Sequence, residues 1–179
     1  RKTPNAVLRD GPYPHFDMQG QWNLVLASLR EFYAEEPFDA ISITTHGASA
    51  ALVRADGSLA LPALDYEHDG PEGLTEEYNS VRPPFSETFS PRLRIGLNLG
   101  AQIFWQQKRF PKEFAETSYI LALPQYWAMR LTGVAASEAT SLGAHTDLWQ
   151  PAKADFSSLV TSQGWRGLFP PLRSAFDVL

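Results

Sequence analysis

Alternating apolar and polar residues make the stretch 40–58 the most informative part of the sequence. Within 39–44, isoleucine alternates with serine and threonine, and this two-residue period predicts a half-buried strand. The apolar run 50–53 predicts a second short strand. Asp56-Gly57 follows it and favours a tight turn, because glycine readily adopts the positive φ that such turns need.

The two runs are separated by a corner of small and polar residues, Thr45-His46-Gly47-Ala48-Ser49. Small residues at the end of a strand allow a ligand to approach the backbone closely. One imidazole and several hydroxyl groups would then face that ligand. The sequence therefore predicts a ligand-binding corner between the two strands.

Apolar residues at helical spacing predict a long helix before this stretch and further helices after it. The first helix begins after the N-cap candidate Asp17 and ends before Pro37. Its apolar stripe, with the first member as a core anchor, contains Trp22, Val25, Leu26, Leu29, Phe32 and Tyr33. Later helices are predicted over 96–108, 113–122 and 124–133. This alternation of helices and strands predicts a mixed α/β fold.

Composition excludes several classes of protein. The 179 residues are 44% hydrophobic and 20% charged, which is typical of a globular chain with one core. The 15 basic and 20 acidic residues give a net charge of −5, and the scattered basic groups argue against nucleic-acid binding. The absence of cysteine excludes disulfides and cysteine nucleophiles. No apolar run approaches the roughly 20 residues of a membrane span, so no membrane partner is expected.

Three blocks of sequence resemble one protein family. ITTHG at 43–47, followed by LVRADG at 52–57, is similar to the strand, His-Gly corner, strand and Asp-Gly turn of the FGGY carbohydrate kinases. LALPQYWAMRLTG at 121–133 resembles the family's helix that ends in Leu-Thr-Gly. EATSLGAHTDL at 138–148 resembles the small-residue segment that follows that helix. The order and spacing of the blocks extend the resemblance over residues 17–179.

The resemblance implies a fold, a domain organisation and an activity. The implied fold is the actin-like ATPase (ribonuclease H-like) α/β domain, a mixed sheet flanked by helices. Residues 1–179 would form a single domain, most of the N-terminal, sugar-binding domain of a two-domain kinase of the rhamnulokinase or xylulokinase type. The nucleotide-binding second domain would be absent from this chain. The intact protein would be cytoplasmic, could form a homodimer, and would phosphorylate a small sugar, a ketose or deoxyketose.

The resemblance also implies where the chemistry lies. ATP and Mg²⁺ would be the cofactors of the intact protein. The catalytic carboxylate is expected beyond Leu179, and the family's phosphate-binding loop is not found in this sequence. The chain alone is therefore expected to be inactive, and its task would be to supply the sugar-binding side of the cleft.

The expected substrate contacts are Thr45, His46, Gly47, Asp69 and Asn98. Three of them form the corner, and the other two are suggested by the resemblance. Asn98 is equally well explained as the cap of the following helix. The resemblance also places Gln102 where family members have substrate-facing polar side chains, but an exposed surface residue is the favoured explanation. For His145, a structural role with satisfied hydrogen bonds is favoured over a ligand contact.

Other functions are also compatible with parts of the sequence. Asp65, His68 and Asp69 could bind a metal, but carboxylates in a polar loop are usually just solvated, so no metal site is expected. Paired carboxylates of a glycosidase are conceivable, yet no spacing here requires them. A noncatalytic carbohydrate-binding or interaction module is the main alternative. It would need exposed tryptophans, whereas Trp105 and Trp127 lie on apolar helical stripes.

Overall fold

The chain folds into short strands and helices around a three-stranded sheet, and the computed structural model describes residues 1–2, 4 and 6–179. The strands are β1 (Val7–Leu8), β2 (His15–Phe16), β3 (Ala50–Val53), β4 (Leu59–Leu61), β5 (Tyr119–Ala122), β6 (Ser137–Glu138), β7 (Trp149–Gln150), β8 (Asp155–Phe156) and β9 (Leu172–Arg173). The α-helices are α1 (Met18–Glu35), α2 (Thr75–Val81), α3 (Phe85–Thr88), α4 (Leu99–Arg109), α5 (Pro111–Phe114), α6 (Leu123–Thr132), α7 (Ala139–Gly143) and α8 (Ser158–Ser162). Turns of 3₁₀ helix occupy Gly70–Leu74, Pro151–Lys153 and Arg166–Leu168.

The central sheet has the strand order β4-β3-β5, and both neighbouring pairs are antiparallel. β3 and β4 form a hairpin whose turn contains Gly57 at φ 86°, so the predicted turn is confirmed. β5 pairs with β3 from Ala50 opposite Ala122 to Val53 opposite Tyr119. A parallel pair, β6 with β9, and further antiparallel pairs lie outside this sheet. Helices and mixed strand pairs together confirm the α/β class.

The sheet separates two apolar cores. Ala50 and Leu52 point into the larger core, which contains the apolar residues of α4. Ala51 and Val53 point into the second core, together with residues of α1 and α6. Successive side chains of a strand face opposite sides, so a strand buried on both sides is apolar at every position. This explains the unbroken apolar run 50–53.

α1 confirms the predicted helix and its cap. The Asp17 carboxylate accepts a hydrogen bond from the Gly20 amide at 2.8 Å, which satisfies a donor in the first turn. Trp22 is half-buried and packs against the second core, where it stacks on Trp127 with ring centroids 6.0 Å apart. The Arg130 guanidinium lies 4.3 Å from the Trp22 ring centroid. The stacked pair joins α1 to α6.

The far end of α1 carries large apolar side chains at the surface. Phe32 is 43% exposed and Tyr33 is 54% exposed, although both belong to the predicted apolar stripe. Ile41, in the following segment, is 48% exposed. These side chains form an uncovered apolar edge, defined as Phe32, Tyr33 and Ile41.

The predicted strand over 39–44 is wrong. Among the described residues, no backbone hydrogen bond joins this segment to another element. Ile43 packs against the second core while Ser42 and Thr44 are exposed, but Ile41 is exposed as well, so the alternation indicates burial correctly for only one of the two isoleucines. A strand also needs a partner, and the partner cannot be inferred from local periodicity.

The predicted helix over 113–122 is also wrong. α5 ends at Phe114, and the segment then turns into β5. The Ser118 amide donates to the Val53 carbonyl at 2.8 Å, which starts the pairing with β3. A short apolar run fits a helix or a strand equally well, and long-range pairing decides here. The helix that follows does end at a left-handed Gly133 (φ 77°), as predicted.

A buried ion pair connects α2 to the loop after α7. The Asp147 carboxylate is fully buried and accepts hydrogen bonds from the Tyr78 hydroxyl at 2.7 Å and from Arg82 Nε at 2.9 Å. Burial, followed by the Asp147 charge, raises the pKa of Tyr78, so its phenol stays protonated. The ion pair fixes the position of the segment 145–148.

The start of α4 packs tightly against the same segment. The Gly100 amide donates to the Thr146 carbonyl at 2.8 Å. A Cβ atom at position 100 would lie 2.8 Å from that carbonyl oxygen and 2.8 Å from the Tyr78 hydroxyl. Only glycine therefore permits this close approach.

We predict that Gly100→Ala destabilises the protein by about 1–3 kcal/mol, because overpacking moves backbone that the buried ion pair holds. Helix propensity alone would favour alanine by about 1 kcal/mol, so the sign of the change is informative. Gly73→Ala is the control, since nothing lies within 4 Å of a Cβ at position 73. Urea unfolding of the two variants measures the difference. A Gly100→Ala protein as stable as the parent would contradict the close packing.

Candidate functional site

The predicted corner, 45–49, lies at the end of the central sheet. The Ser49 carbonyl accepts a hydrogen bond from the Leu123 amide at 3.2 Å, at the junction of β5 and α6. Ala50, the next residue, is already paired with Ala122 in the sheet. The sheet therefore anchors one end of the corner and fixes the direction in which it leaves.

His46 presents its imidazole at the surface of this corner. Its Nε2 lies 2.9 Å from the hydroxyl of the buried Ser49, and its ring meets the edges of Phe16 and Tyr66 at centroid distances of 5.6 and 5.1 Å. Partial burial against its neighbours lowers the pKa of His46, so the ring is neutral at pH 7. A neutral imidazole offers one donor and one acceptor. The hydrogen bonds of the described residues engage only Nε2, so Nδ1 is left for a ligand.

The corner brings Thr45 and Gly47 beside His46, as the sequence predicts. The Thr45 hydroxyl donates to the His46 carbonyl at 3.0 Å. A Cβ atom at position 47 would touch the Cβ of Ala144 at 3.5 Å. The backbone of the corner thus lies directly against the loop after α7.

Three amide side chains on the buried face of α4 form what we call the amide ladder: Asn98, Gln102 and Gln106. They are spaced four residues apart, so they lie on one face of the helix. All three are almost completely buried, at 0%, 1% and 1% exposure respectively. Each bonds to a different loop, because buried amides need hydrogen-bond partners.

Gln102 holds the corner in place. Its Nε2 donates to the Ala48 carbonyl at 2.7 Å and also to the Gly96 carbonyl. The expectation of an exposed Gln102 is therefore wrong. The side chain of Gln102 lies among apolar residues on the buried face of the helix. A polar residue is stable there because the carbonyls of Ala48 and Gly96 accept its hydrogen bonds. Gln106 similarly donates to the Tyr13 hydroxyl at 2.7 Å.

Asn98 is surrounded by backbone partners. Its Oδ1 accepts from the Leu93 amide at 2.7 Å, and its Nδ2 donates to the carbonyls of Pro91 and His145, each at 3.0 Å. Its side chain makes no capping hydrogen bond to α4, although it occupies the N-cap position. A substrate contact by Asn98 stays a prediction, and such a contact would require this amide to release a backbone partner.

Asp69 is not brought to the corner by any contact among the described residues. Its side chain is 85% exposed, and its Oδ1 lies 3.7 Å from Nδ1 of His68. The His68 ring packs against Tyr13 and Trp105 instead of turning towards the corner. No group of three potential metal ligands is found in the described part of the chain.

Two residues of the site could not be identified from the sequence. Phe16 and Tyr66 flank His46 but belong to no recognisable motif. Ser49 belongs to the predicted corner, but its hydroxyl is buried against the His46 ring instead of facing outward. The exposed His145 follows Ala144 on the loop that touches the corner. Two cavities, of about 360 Å³ near Arg92 and about 450 Å³ near Phe38, are lined by residues from other parts of the chain.

Comparison with solved structures identifies the family. A carbohydrate kinase from Novosphingobium aromaticivorans superposes with a TM-score of 0.88 and is 40% identical over 96% of this chain. The chain belongs to the carbohydrate kinase family. The family recognised from the three sequence blocks is thereby confirmed.

More distant structures share the fold of this chain. A ligand-bound xylulose kinase from Lactobacillus acidophilus has a TM-score of 0.79 at 12% identity, over 96% of the chain. A gluconate kinase from the same organism has a TM-score of 0.75 at 14% identity. The chain spans only about 37% of the Novosphingobium protein and 36% of each of the other two. No protein-family model and no curated protein matches the chain.

Among the described residues, no helix combines the length and the apolar character that crossing a lipid bilayer requires.

We predict that Gln102→Leu destabilises the protein by about 1–3 kcal/mol, because two buried carbonyls lose their donor. The same variant should speed hydrogen exchange of the amides at 47–49, since the corner loses its tether. Gln19→Leu makes the same chemical change on the exposed face of α1 and should stay within about 0.5 kcal/mol of the parent. Urea unfolding and amide exchange measure both effects. Equal behaviour of the two variants would show that the tether is dispensable.

Proposed function

We propose that this chain is the sugar-binding domain, with an actin-like ATPase fold, of a two-domain carbohydrate kinase. The intact protein would transfer phosphate from ATP to a hydroxyl group of a small sugar, a ketose or deoxyketose. Support comes from the match to a carbohydrate kinase and to xylulose kinases over nearly the whole of this chain but little more than a third of theirs.

The corner around His46 is the observation that carries this proposal. It combines an exposed neutral imidazole, a backbone with a glycine, and a threonine hydroxyl at the end of a buried sheet. A sugar is recognised through several such hydrogen bonds, each worth about 1 kcal/mol net. A sugar that lacks a hydroxyl at the right position leaves a polar group of the site without a partner, and this costs more free energy than a matched hydrogen bond contributes. Such a site therefore selects sugars by the pattern of their hydroxyl groups.

The aromatic rings beside His46 suit the same ligand. Phe16 is buried and Tyr66 is half-buried, and both meet the imidazole edge-on. They limit the access of water to one side of the ring. A hydrogen bond from a sugar hydroxyl to Nδ1 would be strengthened by this lower local polarity.

The residues of this chain do not fit ATP or Mg²⁺. Three arginines are paired with carboxylates, at 2.7 Å (Arg54 with Glu116), 2.9 Å (Arg82 with Asp147) and 3.5 Å (Arg94 with Glu72). Arg92 has no carboxylate partner in the described part of the chain, but its Nε and Nη1 are buried beside the Tyr78 ring and cannot reach a nucleotide. The described residues also bring no three carboxylates or imidazoles together for a metal. We therefore assign nucleotide binding and the catalytic carboxylate to parts of the protein outside this chain.

A noncatalytic carbohydrate-binding module is less well supported. Such modules stack sugars on exposed aromatic faces, whereas four of the five tryptophans are at most 9% exposed: Trp105, Trp127, Trp149 and Trp165. The remaining one, Trp22, is half-buried and covered by Arg130. The tryptophans thus serve the packing of the domain.

We predict that His46→Ala in the intact protein weakens sugar binding about tenfold or more, or about 1.4 kcal/mol. Calorimetry with D-xylulose, L-rhamnulose and gluconate gives the affinity, measured with the best-bound of the three. His68→Ala removes an imidazole that packs on Trp105 away from the corner, and it should leave the affinity unchanged. Equal affinities for the parent and the His46→Ala protein would contradict the sugar site.

We also predict that residues 1–179 alone catalyse no sugar-dependent ADP formation, because the chain holds no fitting site for nucleotide or metal. A coupled assay that compares this chain with the intact protein measures the difference. Turnover by the isolated chain would overturn the assignment of the catalytic groups to other parts of the protein.

A further inference from the structure

The loop that follows α7 holds a histidine in an unfavourable backbone conformation beside the corner. His145 has φ 48°, in the left-handed region that non-glycine residues rarely occupy. Its neighbour Ala144 lies against Gly47, where a Cβ would be 3.5 Å away. His145 is therefore the residue next to the point where this loop touches the corner that carries His46.

Buried groups hold His145 in this conformation from both sides. The Asn98 amide binds the His145 carbonyl at 3.0 Å, and the Gly100 amide binds the Thr146 carbonyl at 2.8 Å. Asp147, two residues on, also has a positive φ of 65° and is fixed by Arg82. Strained residues persist where the surrounding structure determines them, and they are concentrated at functional sites.

The His145 side chain contributes nothing visible to the fold. The imidazole is exposed, and among the described residues it makes no hydrogen bond and no ring contact. The other histidines differ: Nδ1 of His15 is 2.8 Å from the Tyr13 carbonyl, His46 binds Ser49, and His68 packs on aromatic rings. The favoured structural role for His145, with satisfied hydrogen bonds, is therefore wrong. Asparagine or glycine would occupy this backbone conformation at lower cost.

We propose that His145 is a second sugar-contacting imidazole, because it lies next to the contact between Ala144 and Gly47 that joins its loop to the corner of His46. This inference rests on the proposed function and names a further residue of the same site. The ligand class is a polyol, one of whose hydroxyls pairs with the imidazole of His145.

The test measures sugar affinity and the urea unfolding midpoint of the same variants. A ligand contact predicts lower affinity without loss of stability, whereas a structural residue predicts loss of stability. In the intact protein, His145→Gly removes both the imidazole and the backbone strain. Binding of the best-bound sugar among D-xylulose, L-rhamnulose and gluconate should weaken about tenfold, while the urea midpoint rises. His145→Asn also tolerates the left-handed conformation better than histidine, so it should weaken binding similarly and raise the urea midpoint by less than His145→Gly does.

Ala154→Gly is the matched control. Ala154 also has a positive φ, 50°, but follows the 3₁₀ turn Pro151–Lys153. This variant should raise the urea midpoint and leave the sugar affinity unchanged. Unchanged affinity of His145→Gly, or a lower urea midpoint, overturns the inference. If His46→Ala weakens binding and His145→Gly does not, only this inference fails; if the parent binds none of the three sugars, the proposed function fails with it.

Discussion

The amide ladder on α4 is the constraint on which the rest of the structure depends. A buried carbonyl without a donor costs about 1–3 kcal/mol, so each amide fixes the loop that it binds. Gln102 fixes the corner, Asn98 fixes the loop after α7, and Gln106 fixes the N-terminal segment through Tyr13. Three separate loops thus take their positions from one rigid helix, and the domain is held by polar contacts inside an apolar core.

This arrangement also explains how loops can form a defined binding surface. Pairing in the sheet fixes Ala50 at the start of β3, and Gln102 of the amide ladder fixes Ala48 just before it. The buried hydroxyl of Ser49 then orients the imidazole of His46. Positioned loops on a rigid scaffold are where binding residues are generally found. Because these polar groups are already held in place, they would lose little conformational entropy on binding a ligand.

Local chemistry allowed part of this to be predicted from the sequence. The Asp17 cap, the turn at Gly57 and the stop at Gly133 depend on neighbouring residues only, and the corner follows from composition at a strand end. The strand over 39–44 and the helix over 113–122 were wrong because pairing partners are distant in sequence. The burial of Gln102 likewise depends on carbonyls far along the chain, which a helical pattern cannot reveal.

The uncovered apolar edge has a consequence for handling the protein. Phe32 and Tyr33 are exposed at the end of α1, and Ile41 is exposed within the segment 39–44, whose backbone groups pair with no described element. Unpaired extended backbone beside apolar surface is a template for association between molecules. We therefore expect the isolated 179-residue chain to self-associate at high concentration. Charged substitutions at Phe32 and Tyr33 would keep it monomeric.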